Sequence, residues 1–112
     1  MRRPLALAAL IGVAVVLLIA SVATGRGTKT VDVGDDFFDP ASLEVKKDTK
    51  VSFNWGGTDE HDIVKVKGPG KFFESGAITG SGVQFRHKFK KSGRYKLICS
   101  IHEEMKMKLE VD

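Results

Sequence analysis

From Thr28 onward the chain alternates apolar and polar residues with a period of two, in short runs of Val, Phe, Tyr and Thr separated by Gly, Pro, Asp and Lys clusters. Such alternation predicts half-buried strands, and the runs are Thr28–Val33, Ser42–Lys46, Lys50–Trp55, Asp62–Val66, Val83–Phe89, Arg94–Cys99 and Met107–Val111. Their inward sets are Val51, Phe53 and Trp55; Val83, Phe85, His87 and Phe89; Tyr95, Leu97 and Cys99; and Met107, Leu109 and Val111. Lys88, Lys90, Lys96, Lys108 and Glu110 fall on the opposite faces, as expected of antiparallel strands with one wet side. No stretch in this part has the period of a useful helix. About seven strands in roughly eighty residues predict an all-β sandwich of two packed sheets. Lys47-Asp48 and Lys91-Ser92-Gly93 read as hairpin turns, while Gly68-Pro69-Gly70 and Gly80-Ser81-Gly82 bracket a long irregular crossing.

The N-terminus breaks this pattern. Pro4 to Ala23 is an apolar run with Ser21 as its one polar side chain, preceded by Arg2 and Arg3 and followed by Thr24-Gly25-Arg26-Gly27. It predicts one hydrophobic export or anchor helix outside the fold, so residues 1–27 are read as a signal peptide or membrane anchor and 28–112 as the folded domain. Two readings stand. Ser21-Val22-Ala23 offers a small-x-small cleavage site, and a run of ~20 apolar residues is also long enough to span a bilayer uncleaved. In both, the arginine pair holds its end inside, and the body is expected outside the cytoplasmic membrane, in the periplasm or at the cell surface.

Charge sharpens the division. The chain carries 18 Lys and Arg against 14 Asp and Glu, but residues 31–112 hold 14 of each sign, so the excess and the pI of 9.3 belong to the N-terminus. A nucleic-acid binder needs its positive charge as a patch on the folded domain, and a balanced body speaks against one. With 42% hydrophobic residues and seven Phe the chain can bury a core, which excludes general disorder. Its single cysteine excludes an intrachain disulfide.

That cysteine stands in Leu97-Ile98-Cys99-Ser100-Ile101-His102-Glu103-Glu104-Met105-Lys106-Met107, and a second histidine, His61, lies far upstream before the strand from Asp62. Taken singly, each has a structural explanation: Cys99 as a buried thiol, and His61 and His102 as surface residues among acidic neighbours. Taken together, a thiolate at a strand end, an imidazole and a thioether on the adjoining turn, and a second imidazole at the same end of the sandwich describe a trigonal His₂Cys copper site with an axial Met.

The sequence resembles the plastocyanin-like cupredoxins, small blue-copper electron carriers, over nearly all of residues 31–112. The likeness rests on Cys-x₂-His-x₂-Met, on Val33-Gly34-Asp35-Asp36-Phe37-Phe38-Asp39-Pro40-Ala41-Ser42-Leu43-Glu44-Val45-Lys46-Lys47 as the first two strands, and on Gly93-Arg94-Tyr95-Lys96-Leu97-Ile98-Cys99 leading into the cysteine. It implies a Greek-key sandwich and one copper ion held by His61, Cys99, His102 and Met105. The chain departs from the family's habits at Glu60 and Ile101, where Pro is common, at Asp62, where Asn is common, and at Met107, where Gly is common. These positions bear on loop rigidity and redox potential. His87 takes an inward position that resembles the place of a Tyr in relatives, and is read as a core or rim histidine rather than a ligand. Met107 begins the alternation of the last strand and Met105 ends the loop, which favours Met105 as the axial residue.

Zinc accepts one Cys and two His, but a thioether is a poor zinc ligand and Cu²⁺ stands above Zn²⁺ in affinity order. The expected function is therefore one-electron transfer without a small-molecule substrate, and no enzymatic activity. In the family the second histidine is the electron port, a part that falls to His102. Glu103 and Glu104 beside it imply a transient redox-protein partner with a positive patch. A copper carrier or scavenger is the alternative, followed by a metal-free adhesive β-domain.

Overall fold

Eight strands carry the period-two pattern in the computed structural model, which describes residues 27–112; the predicted N-terminal helix lies outside the described residues. They are β1 (Thr28–Gly34), β2 (Phe37–Asp39), β3 (Ser42–Val45), β4 (Thr49–Trp55), β5 (Val64–Lys67), β6 (Gly82–Phe89), β7 (Gly93–Ile98) and β8 (Lys106–Val111). Sheet A has the order β2-β1-β4-β6 and sheet B the order β3-β8-β7-β5. Among the described residues no helix is long and apolar enough to cross a membrane.

The inner faces meet in one core. Val31, Val33, Val51, Phe53 and Trp55 from sheet A are buried, as are Leu97, Met107, Leu109 and Val111 from sheet B. Each such side chain contributes about 1.5–3 kcal/mol of burial free energy before conformational entropy is counted. The alternation of β8 is complete, with every second residue from Met107 buried.

Four expectations are corrected. Phe37–Asp39 is an eighth strand: it pairs with β1 through Val33 and Phe38, and buries only Phe38, too short a stretch for periodicity to show. Lys47-Asp48 and Lys91-Ser92-Gly93 are not hairpin turns. Each carries the chain from one sheet to the other, β3 to β4 and β6 to β7. Because of these crossings, β1 runs parallel to β4 and β3 parallel to β8. The strand expected from Asp62 starts at Val64, since His61 instead bridges to Ile78. Finally, Val83 is 38% exposed rather than inward, because a bulge between Phe53 and Asn54 pairs Phe53 with Phe85 but Asn54 with Val83.

His87 is half-buried, as the rim reading expects, with its ring stacked on Phe73 at 3.8 Å between centroids and edge-on to Phe89 at 4.7 Å. Burial, aided by the Lys65 cation, pushes its pKa below the ordinary 6.5. The unfolded chain then binds this proton before the folded one does. Stability is thus full above pH 6.5 and falls as pH drops towards the lowered native value. Thermal unfolding of His87→Phe beside the unmodified chain, from about pH 8 to about pH 5, should show the gap in Tm moving in favour of the variant on acidification, on the order of a few degrees. A gap that does not change with pH would contradict this.

Candidate metal centre

Three segments build one end of the sandwich. Cys99 follows directly on β7, and its N–H donates to the Met105 carbonyl at 2.9 Å while the Met105 N–H donates to the His102 carbonyl at 3.1 Å. The loop from Cys99 to Met105 is thereby closed on itself, with Cys99 and Met105 both buried. His61 is held by paired backbone bonds with Ile78 at 3.0 and 2.9 Å, and the Ile78 carbonyl also accepts the Trp55 indole N–H at 3.1 Å. Asp62 ties the two segments together: its carboxylate accepts the Ser100 N–H at 2.6 Å and the Ser100 hydroxyl at 2.5 Å.

This framework brings three of the expected residues to one point. Cys99 Sγ lies 4.0 Å from His61 Nδ1 and 3.6 Å from His102 Nδ1. All three donor atoms fall within 4.8 Å of one another. The His61 side chain is fully buried, and that of His102 is 24% exposed. His87 stands apart, among Phe73, Phe85 and Phe89.

The third segment is the tight turn between β1 and β2, where Asp36 adopts φ 72°. Asp35 Oδ1 accepts from His61 Nε2 at 3.1 Å, and Asp36 Oδ1 lies 3.3 Å from His102 Nε2. Asp35 also accepts the Thr58 N–H, the Asp59 N–H and the Thr58 hydroxyl at 2.9–3.1 Å. These donors, the Thr58 N–H foremost, hold its carboxyl well below the usual carboxylate range. Gly57 has no Cβ for a reason: one would overlap the Asp35 carboxylate.

The Asp35 carboxylate at His61 Nε2 keeps the proton there and leaves its Nδ1 lone pair free, and Asp36, 3.3 Å from His102 Nε2, favours the same tautomer in the second ring. The two Nδ1 lone pairs converge on the buried sulfur, an arrangement of three donors that a metal ion satisfies and a lone thiol does not. One thiolate, two imidazoles and a buried thioether in the adjoining loop form a soft, mixed donor set suited to copper.

The family model described as "Cupredoxin-like domain" matches residues 7–111. This chain is a cupredoxin. Among solved structures, the copper-containing nitrite reductase from Thermus scotoductus SA-01 is 31% identical, with a TM-score of 0.64 over 76% of this chain and 22% of that one. A purple cupredoxin from Nitrosopumilus maritimus is 25% identical, with a TM-score of 0.63 over 75% and 99%. A reduced Cu(I) form of a mutant amicyanin is 22% identical, with a TM-score of 0.68 over 83% and 88%, and bears on the fold alone. The chain therefore spans about a fifth of the nitrite reductase but nearly all of the purple cupredoxin. No curated protein sequence matches it. The cofactor of the cupredoxin fold is copper, and His61, Cys99 and His102 bring together donor atoms that could hold it, with Met105 buried in the same loop.

Asp35, Asp36 and Gly57 escaped the sequence reading as site residues. Asp35 and His61 are 26 positions apart, and nothing in Gly34-Asp35-Asp36 beyond a turn-like composition announces a histidine partner. Asp62, noted only as a departure from Asn, proves to be the tie between the His61 and Cys99 segments.

Proposed function

We propose that this cupredoxin is a one-electron carrier that works outside the cytoplasmic membrane. The observation that carries this reading is the buried Cys99 sulfur facing two imidazoles, that of His61 oriented by the Asp35 carboxylate and that of His102 lying beside Asp36. A bound copper ion supplies the one-electron change between Cu(II) and Cu(I). The chain's part is to hold the donors still. Cys99 is clamped by its own bond to Met105 and by the Asp62 bonds to the adjacent Ser100, and His61 by Ile78 and Asp35, so oxidation and reduction meet a framework that has little freedom to rearrange.

His102 offers the path for the electron, because its side chain reaches solvent while that of His61 does not. Asp36, Asp59, Glu103 and Glu104 surround that opening and are all exposed. Their charge suits a redox protein with a positive docking patch, bound briefly. Electron transfer with such a partner slows as salt screens the attraction.

Met105 takes the axial position in this reading. Met107 sits in β8 opposite Leu97, a strand core position, whereas Met105 closes the ligand loop. Met105→Leu is expected to raise the reduction potential and change the visible spectrum. Met107→Leu should leave both in place and lower stability by less than about 1.5 kcal/mol. Spectroelectrochemistry of the two variants checks this, and the reverse pattern moves the axial role to Met107.

The competing role, passing copper to another protein, separates in a chelator challenge. A carrier of electrons keeps its ion in both oxidation states against a large excess of a Cu(I) chelator, and rapid loss of the reduced ion would overturn the electron-transfer reading.

A further inference from the structure

The balanced charge of the body is not evenly placed. At the metal end stand Asp35, Asp36, Asp59, Glu60, Glu103 and Glu104, all exposed. The opposite end collects lysines. The Asp48 N–H donates to the Phe89 carbonyl at 2.7 Å, which sets the turn bearing Lys46 and Lys47 beside the one bearing Lys90 and Lys91. Just inside them Lys50 and Lys88 are direct cross-strand partners, a like-charge pairing that works against the sheet. All six are exposed. Against these six lysines the acidic groups at this end are Asp48 within the first turn, Asp112, which is 3.6 Å from Lys46, Glu110, already paired with Arg94 at 3.2 Å, and Glu44, the cross-strand partner of Glu110.

The chain enters the fold at this same basic pole. Thr28 is in register with Lys50, and the Gly27 carbonyl accepts the Lys50 N–H at 3.1 Å. From there β1 runs away towards Gly34 and the Asp35-Asp36 turn at the metal site, about 20 Å at a strand's rise per residue. On the N-terminal side only Thr24, Gly25 and Arg26 stand between Gly27 and the apolar run ending at Ala23. That stretch reaches at most about 14 Å when fully extended. A bilayer holding the run would thus lie within one or two Debye lengths of the lysines.

We propose that the basic pole is an electrostatic seat for an anionic lipid surface, on which the domain stands with its acidic, copper-binding pole turned away from the bilayer. The inference rests on reading Pro4–Ala23 as an uncleaved membrane segment. The short tether keeps the lysines beside the headgroups at high effective concentration, so a few charges suffice where a free protein would need many. The same polarity fits the carrier role, since the opening at His102 then faces soluble partners. An acidic pole of a second copy has complementary charge as well, but it must be recruited from solution, whereas the bilayer is within the tether's reach.

The full chain, reconstituted in nanodiscs of phosphatidylcholine alone or with about 30 mol% phosphatidylglycerol, provides the test. Lysine acetylation rates are read residue by residue by mass spectrometry. The expected result is that Lys46, Lys47, Lys90 and Lys91 react at least ~3-fold more slowly on the anionic discs and recover at ~0.5 M salt, where screening is strong. Lys106 and Lys108, on β8 away from this pole, should react alike on both discs. Equal rates on the two discs overturn the proposal, as does equal slowing of Lys106 and Lys108, which would mean the domain lies on its side. Slowing that grows with protein density on neutral discs assigns the seat to a second copy instead. A chain that stays with neither disc also overturns it, and leaves the copper reading untouched.

Discussion

Replacing Cys99 by serine is expected to give a folded, colourless protein that no longer holds copper in a thiolate site. The side chain is 2% exposed and is the one sulfur placed between the two imidazoles. A hydroxyl there offers no soft anionic donor, so His61 and His102 are left as a weak nitrogen pair. The backbone bonds that close the loop do not involve the side chain, and the fold should survive with a loss of about 1–2 kcal/mol from burying a hydroxyl. Copper titration monitored by visible absorption, with circular dichroism as a check on folding, gives the answer. A serine variant that keeps the colour would place the chromophore elsewhere.

Asp35→Ala should weaken copper binding by about 10–100-fold, the range typical when the partner of a ligating histidine is removed. The carboxylate does two jobs at once. It accepts from His61 Nε2, which fixes the ring and its tautomer, and it gathers the Thr58 and Asp59 N–H groups, which fixes the loop leading into His61. Alanine removes both, and the loop bonds then have only water to turn to. Asp35→Asn retains an acceptor oxygen for the imidazole but gives up the charge and one loop acceptor, so its affinity should fall between the two. Its reduction potential should rise by tens of millivolts, because a negative charge near the site favours Cu(II) over Cu(I). Competition with a chelator of known affinity, together with the midpoint potential, separates these effects. An alanine variant with unaltered affinity and potential would reduce Asp35 to a loop anchor with no part in holding the metal donors.

How legible these features were in the sequence depended on whether their causes are local. The strands could be read because each buries one face, and a buried face writes itself into every second residue, as in Met107, Leu109 and Val111. Cys99, His102 and Met105 share one short loop, so their chemistry was visible as spacing. The route of the chain was not. A two-residue turn looks the same whether it joins neighbours in a sheet or crosses between sheets, and Lys47-Asp48 does the latter. The bulge that turns Val83 outward depends on β4, some thirty positions earlier, and leaves no local mark. The pairing of Asp35 and Asp36 with the two imidazoles arises only when the β1–β2 turn folds against the ligand loops. Residues that hold a site in place are harder to read than residues that form it, because their chemistry is generic and only their neighbours make it particular.

The most direct measurement is the visible spectrum of the purified chain loaded with one equivalent of Cu(II) and titrated with a mild reductant, then reoxidised. A reversible site built on Cys99, His61 and His102 should show intense thiolate-to-copper absorption that bleaches with one electron per chain, returns on reoxidation and releases no copper in either step. A colourless complex, or colour lost for good together with the metal on reduction, would contradict an electron carrier.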